Sequence, residues 1–160
     1  MQKSLKTKIL FVLFIISMNV SYSQIQKEKI LVENFVEFYK YQQENNPPMD
    51  AIKFLLKVTN KSNKSIPDLG VTNRSKHVNF YINGKLNNPV SLYNGLEATN
   101  TNKTIHADSS QVYELSWVLT TDNGLSSYYG NEFTIQWEYM LIKSPIIKIN
   151  LLNKTFAILK

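Results

Sequence analysis

Hydrophobic and polar side chains alternate along much of this chain with a period of two, not the 3.6 of a helix. In residues 132–141, Phe133, Ile135, Trp137, Tyr139 and Leu141 share one face, and Glu132, Thr134, Gln136 and Glu138 share the other. Successive strand side chains point to opposite faces, so this segment is expected to put an aromatic row into a core and a polar row into water. Residues 111–120 repeat the pattern with Tyr113, Leu115, Trp117 and Leu119, and residues 51–59 with Ile52, Phe54, Leu56 and Val58. Val78, Phe80 and Ile82 predict a fourth strand, closed by the tight-turn dipeptide Asn83-Gly84. A short fifth covers 90–93 before Asn94-Gly95, and a sixth covers 146–151, with Pro145 suited to its start. Residues 30–41 fit either a strand or a helix. Their aromatics and the Asn45-Asn46-Pro47-Pro48 break after them favour a strand. Residues 155–159 are expected to extend the last sheet.

Short strands separated by Asn, Gly, Ser and Pro turns predict an all-β fold, an antiparallel β-sandwich of about seven to eight strands. The predicted core holds Phe54, Leu56, Phe80, Leu115, Trp117, Ile135, Trp137 and Ile149. Leu56-Lys-Val-Thr-Asn-Lys-Ser62 resembles the strand ending in V-x-N-x-S of bacterial immunoglobulin-like domains, and Gly130-Asn-Glu-Phe-Thr-Ile-Gln-Trp137 resembles their late G-x-x-[FY]-T-[VI] opening. Trp137-Glu-Tyr139, with Ser144 before an Ile-rich strand, is similar to their closing pair. The resemblance covers about residues 50–152 and implies an immunoglobulin-like sandwich. Small bacterial β-sandwich proteinase inhibitors share a similar layout, although no inhibitory loop can be located. The Cys pair and tyrosine corner of antibody domains are missing, and Tyr128-Tyr129 lies near that corner in the wrong frame.

The first 23 residues have the form of a cleavable signal peptide. Lys3, Lys6 and Lys8 precede an apolar run over 9–18, and Ser21-Tyr22-Ser23 precedes cleavage at Gln24. The run is well short of the roughly 20 residues a spanning helix needs, so no membrane anchor is expected after cleavage. Removing 23 of the 160 residues leaves 137, a single domain over 24–160. The same cut changes 18 Lys+Arg against 12 Asp+Glu into 15 against 12. The remaining basic residues are scattered, and Arg74 is the sole arginine, so no nucleic-acid face is expected. Cysteine is absent, which removes disulfides, thiol chemistry and the lipid-bearing residue of a lipoprotein. The expected location is the periplasm or exterior of a bacterium.

Little catalytic chemistry is on offer. His77 and His106 lie in polar stretches without a G-x-S-x-G or metal-ligand spacing, and no phosphate or dinucleotide loop occurs. Glu132 and Glu138 share a strand face, but about 20 Å apart at ~3.3 Å per residue they are too distant for a glycosidase pair. No catalytic residue, metal or cofactor is expected. Beyond residue 23, five matches to the N-x-[ST] glycosylation pattern, at Asn60, Asn63, Asn73, Asn102 and Asn153, are read as chance products of an Asn-, Lys- and Ser-rich chain, and point to exposed turns. Two loops mix Tyr, Ser, Gly and Asn as recognition surfaces do, over 91–97 and 123–130, and make Tyr93, Asn94, Tyr128 and Tyr129 the candidate partner-binding residues. The expected function is non-catalytic binding of a protein or glycan partner in the cell envelope or outside it. A secreted proteinase inhibitor, or an enzyme with an unrecognised site, are the alternatives.

Overall fold

The computed structural model describes residues 29–68, 78–87, 104–119 and 124–159. Their elements are β1 (Ile30–Tyr41), β2 (Met49–Asn60), β3 (Ile66–Pro67), β4 (Val78–Ile82), β5 (Lys85–Leu86), β6 (Thr104–Ile105), β7 (Ser110–Val118), the helix α1 (Leu125–Tyr129), β8 (Glu132–Tyr139), β9 (Ile142–Lys143), β10 (Ile146–Asn150) and β11 (Thr155–Leu159). All pairings among them are antiparallel, and the fold is all-β. One sheet has the order β1-β2-β7. A larger one has the order β11-β10-β8-β4-β5, with β9 also on β8, and β3 pairs with β6. The ambiguous 30–41 segment is a strand, paired with β2 along its whole length, from Ile30↔Asn60 to Tyr41↔Met49. The predicted strand at 90–93 lies outside the described residues.

Alternation explains why the two larger sheets face each other. Ile52, Phe54, Leu56 and Val58 of β2 are buried, as are Phe133, Ile135, Trp137 and Tyr139 of β8 and Ile147 and Ile149 of β10. Aromatic rings join the layers: Phe54 lies 5.5 Å from Phe80 and 6.4 Å from Phe133, and Trp117 lies 6.4 Å from Phe80. Seven of the predicted core residues are buried, while Trp117 is half-buried against the core edge. On the outer face of the smaller sheet, Lys57 pairs with Glu33 at 3.2 Å and Lys53 with Glu114 at 3.6 Å. Such exposed cross-strand ion pairs stabilise weakly, by up to about 1 kcal/mol each.

Three expectations need correction. Leu141 does not continue the apolar face of β8, because Met140 and Leu141 form the β8–β9 turn with φ of 49° and 68°, and Leu141 is 75% exposed. A left-handed two-residue turn matches the twist of a hairpin and reverses the chain before the alternation can continue. Glu138 is not in water. It is buried on the outer face of β8, where it accepts hydrogen bonds from Asn79 Nδ2 at 2.8 Å and Tyr81 OH at 3.3 Å. Asn60, expected on an exposed turn, is fully buried. At Asn83-Gly84 the expectation holds, with φ of 50° and 72°.

β9 and β10 run along the same side of β8, and Ser144 and Pro145 interrupt them. Ser144 N–H donates to Trp137 O at 2.9 Å, and Ser144 Oγ accepts from Trp137 N at 3.0 Å. The hydroxyl thus replaces a ladder carbonyl where the strand kinks. Opposite this kink, Asn34 points into the core from β1. Its Nδ2 reaches Pro145 O at 3.4 Å, and its Oδ1 has no hydrogen-bond partner. An unpaired buried oxygen costs about 1–3 kcal/mol. Pro145 O also accepts from Ser144 Oγ at 3.0 Å, so losing the Asn34 bond leaves it satisfied. Asn34→Val is therefore expected to stabilise the fold by about 1 kcal/mol, read as a higher urea midpoint at unchanged slope.

Candidate functional site

The predicted binding residues do not form one group among the described residues. Tyr93 and Asn94 lie outside the described residues. Tyr128 and Tyr129 sit on α1, a single helical turn where the sequence predicts a loop. Tyr129 is half-buried, its ring 6.0 Å from Phe133, and so packs against the core. Tyr128 is 75% exposed, with its ring 6.4 Å from Tyr129.

Flanking glycines define this helix. Ser127 Oγ donates back to Gly124 O at 2.7 Å, and Gly130 N–H closes the turn on Ser126 O at 2.9 Å. Gly130 has φ 76° and ψ −177°, a region essentially reserved for glycine, which ends the helix and starts β8. Leu125 is the buried anchor. No cysteine, histidine or carboxylate pattern marks this segment, so the signal available in the sequence was the Gly124–Gly130 spacing alone.

Between α1, the end of β7 and the β10–β11 turn lies a cleft of about 270 Å³. Leu119, Leu125, Leu151 and Leu152 give it apolar walls, and Asp50, Ser126, Asn131 and Lys154 give it polar groups. That volume falls just below the roughly 300–1,000 Å³ of ligand sites. Asp50 Oδ1 lies 2.8 Å from Lys154 Nζ and 2.9 Å from Lys40 Nζ. The hydrogen bond from Lys154, then that from Lys40, holds the Asp50 carboxyl below its ordinary value of 3.8. At neutral pH it is an ionised acceptor with no proton to give. The cleft can thus hold a small apolar group flanked by a hydrogen-bonding one. Its walls come from four separate stretches of sequence, which is why no motif announced it.

The sign of the Asp50 shift sets a pH dependence. A carboxyl whose folded value is depressed contributes stability above its ordinary value, and that contribution is lost as pH falls through the folded value. Unfolding by urea is therefore expected to become easier as pH drops below 3.8, with a smaller loss in Asp50→Asn. Lys148 and Asn150 lower Glu132 in the same direction, so Glu132→Gln should remove a further part of the acid sensitivity.

Elsewhere, His106 is exposed in the β6–β7 connection, with its Nδ1 3.3 Å from Ser65 Oγ. His77 lies outside the described residues. No group of three or more His, Cys, Asp or Glu placed to hold a metal occurs among the described residues. Tyr113 is buried, donates to Asp68 Oδ1 at 2.6 Å and stacks on Tyr139 with ring centroids 6.4 Å apart. Burial first, and the Asp68 hydrogen bond second, push its hydroxyl far above the usual phenol range. Among the described residues no helix is long and apolar enough to cross a membrane. Comparison with protein-family models, with curated proteins and with solved structures finds no match.

Proposed function

We propose that this chain is exported by a signal peptide over 1–23, that its sheets form an immunoglobulin-like β-sandwich, and that it acts by binding rather than by turnover. The partner is a protein or glycan in the cell envelope or outside it. The observation that carries the reading is the amphipathic cleft beside α1, with Tyr128 largely exposed on the same helix. Exposed tyrosines supply contact area at low entropic cost, and a true anchor is worth about 2 kcal/mol. The test begins with N-terminal sequencing of the protein recovered from the host's periplasm or medium, expected to start at Gln24. Capture of envelope proteins and glycan arrays by the wild type and by Tyr128→Ala follows. A loss of roughly thirtyfold in affinity is expected for the variant, which should remain folded because Tyr128 buries little. Equal capture by both proteins would refute the role of Tyr128.

One observation favours a second reading, the secreted proteinase inhibitor. The β8–β9 hairpin presents Leu141, 75% exposed, at an ordered apolar tip near the end of the chain. Inhibition of a subtilisin-like or chymotrypsin-like proteinase that disappears in Leu141→Gly would support it. No inhibition across such a panel would dismiss it.

A further inference from the structure

The two larger sheets are unequal, and the difference falls on one side of the molecule. The smaller sheet ends at β1, which lies over β8 and β10. The larger sheet continues one strand further, to β11. On β11, Phe156 pairs in register with buried Ile149, and Ile158 with buried Ile147. Both therefore face the layer of the smaller sheet, yet Phe156 is 49% and Ile158 60% exposed. Nothing among the described residues covers them, and no described strand pairs with the outer edge of β1 or of β11. Edge strands normally carry a charge, a proline or a bulge that discourages pairing. Thr155-Phe-Ala-Ile-Leu159 has none of these.

We propose that these two edges form a self-complementary interface through which two copies of this chain join into one continuous double layer. A twofold axis parallel to the strands, midway between the layers, sets the β11 of each copy against the β1 edge of the other. The smaller sheet of one copy then continues into the larger sheet of its partner, above and below. The two β11 strands come to lie face to face, each covering the Phe156 and Ile158 of the other. Strand direction agrees with this. Asn34 of β1 meets Pro145 just before β10, and Lys154 after β10 pairs with Asp50, the register partner of Lys40 near the end of β1. β10 therefore runs with β1, and β11, antiparallel to β10, runs against β1. An axis along the strands preserves direction, so the new junctions are antiparallel like the others.

Geometry selects this arrangement over pairing each edge with its own copy. Because β11 extends past β1 in the facing layer, a β1–β1 junction would drive each β11 into the other copy, and a β11–β11 junction would leave Phe156 and Ile158 uncovered. Leu159 on the outward face of β11 would also join the exposed Leu31 and Phe35 on the outward face of β1. Half-exposed side chains of this size offer roughly 90 Å² each, so five per copy bring about 900 Å² of apolar surface together before any backbone is counted. That approaches the roughly 1,000 Å² expected of a specific interface, and a closed twofold removes both free edges at once.

The test uses the protein purified from cells expressing the whole chain. Analytical ultracentrifugation at micromolar concentration should give twice the mass of one chain, and Ile158→Lys should give one chain mass with an unchanged β-sheet spectrum. The chain contains no cysteine, so introduced thiols report contacts directly. Ala157→Cys combined with Phe35→Cys or Glu37→Cys should oxidise to a covalent dimer in one of the two pairs. Ala157→Cys alone should not, because the two Ala157 side chains lie on opposite outer faces. A wild type that remains a single chain at 100 μM, or a dimer cross-linked by Ala157→Cys alone, would overturn the proposal. If Ile158→Lys fails to fold, the cysteine pairs still decide it.

Discussion

Replacing Asn60 by Ala is expected to cost about 3–4 kcal/mol, a large share of the roughly 5–15 kcal/mol that holds a domain of this size together. The reason is the number of groups this one amide satisfies. Its two Nδ2 hydrogens are shared among Lys64 O at 2.8 Å, Ile105 O at 3.0 Å and His106 O at 3.1 Å. Its Oδ1 accepts from Ser62 N at 3.0 Å and Ser62 Oγ at 2.6 Å. Ser62 Oγ in turn donates to Lys64 O at 2.8 Å. Asn60 thereby fastens the turn after β2 to the β6–β7 connection, in a place where the side chain has no access to water. Removing it takes the side-chain donor from buried Ile105 O and the acceptor from the buried Ser62 N–H, which is worse than removing both partners of a bond. Lys64 O keeps Ser62 Oγ, and His106 O keeps Ser109. Asn60→Asp is the sharper variant: it keeps the acceptor but sets a carboxylate against three carbonyl oxygens, and should destabilise at least as much. Ser62→Ala, which leaves most of these bonds in place, should cost nearer 1 kcal/mol. Urea denaturation of the three variants checks the order.

The same residue shows what the sequence could and could not disclose. Asn60-Lys-Ser62 is visible twice on paper, as a strand-end motif and as a glycosylation site, and the second reading implies exposure. Nothing local says that the amide turns inward, because its partners at 105 and 106 are some 45 residues away. Alternation was legible wherever one face of a strand meets the core, as on β2, β4, β7, β8 and β10, where a shift of one residue would expose every apolar side chain. It failed where backbone conformation changes the rule, at Met140 and Leu141, and where an outward face acquires its own cover, at Glu138 beneath Asn79 and Tyr81. On β11 the pattern was present but its meaning was hidden. The spacing shows two faces without showing that a three-stranded sheet stops short of them. The cleft was least legible of all, since Asp50, Leu125, Leu151 and Lys154 meet only through the fold.

Phe54→Ala is expected to have the largest effect of any single change, about 3–5 kcal/mol, the sum of lost transfer energy and the cavity left behind. Phe54 is fully buried on β2, the central strand of the smaller sheet. Its ring lies 5.5 Å from Trp117 on its own sheet, and 5.5 and 6.4 Å from Phe80 and Phe133 on the facing sheet. It is therefore the side chain through which both layers hold the same core. Collapse cannot fill the gap easily, because Val36 and Leu115 fix the position of Phe54 by ladder pairing on both sides. Val112→Ala is the matched control. Val112 is exposed on the outer face of β7, and truncating it should cost no more than about 0.5 kcal/mol. Thermal unfolding of the pair should separate them by more than about 10 °C. Trp117 fluorescence should shift toward longer wavelength in Phe54→Ala as water reaches the loosened aromatic cluster. Equal melting temperatures for the two variants would mean that the two sheets do not share a core through Phe54.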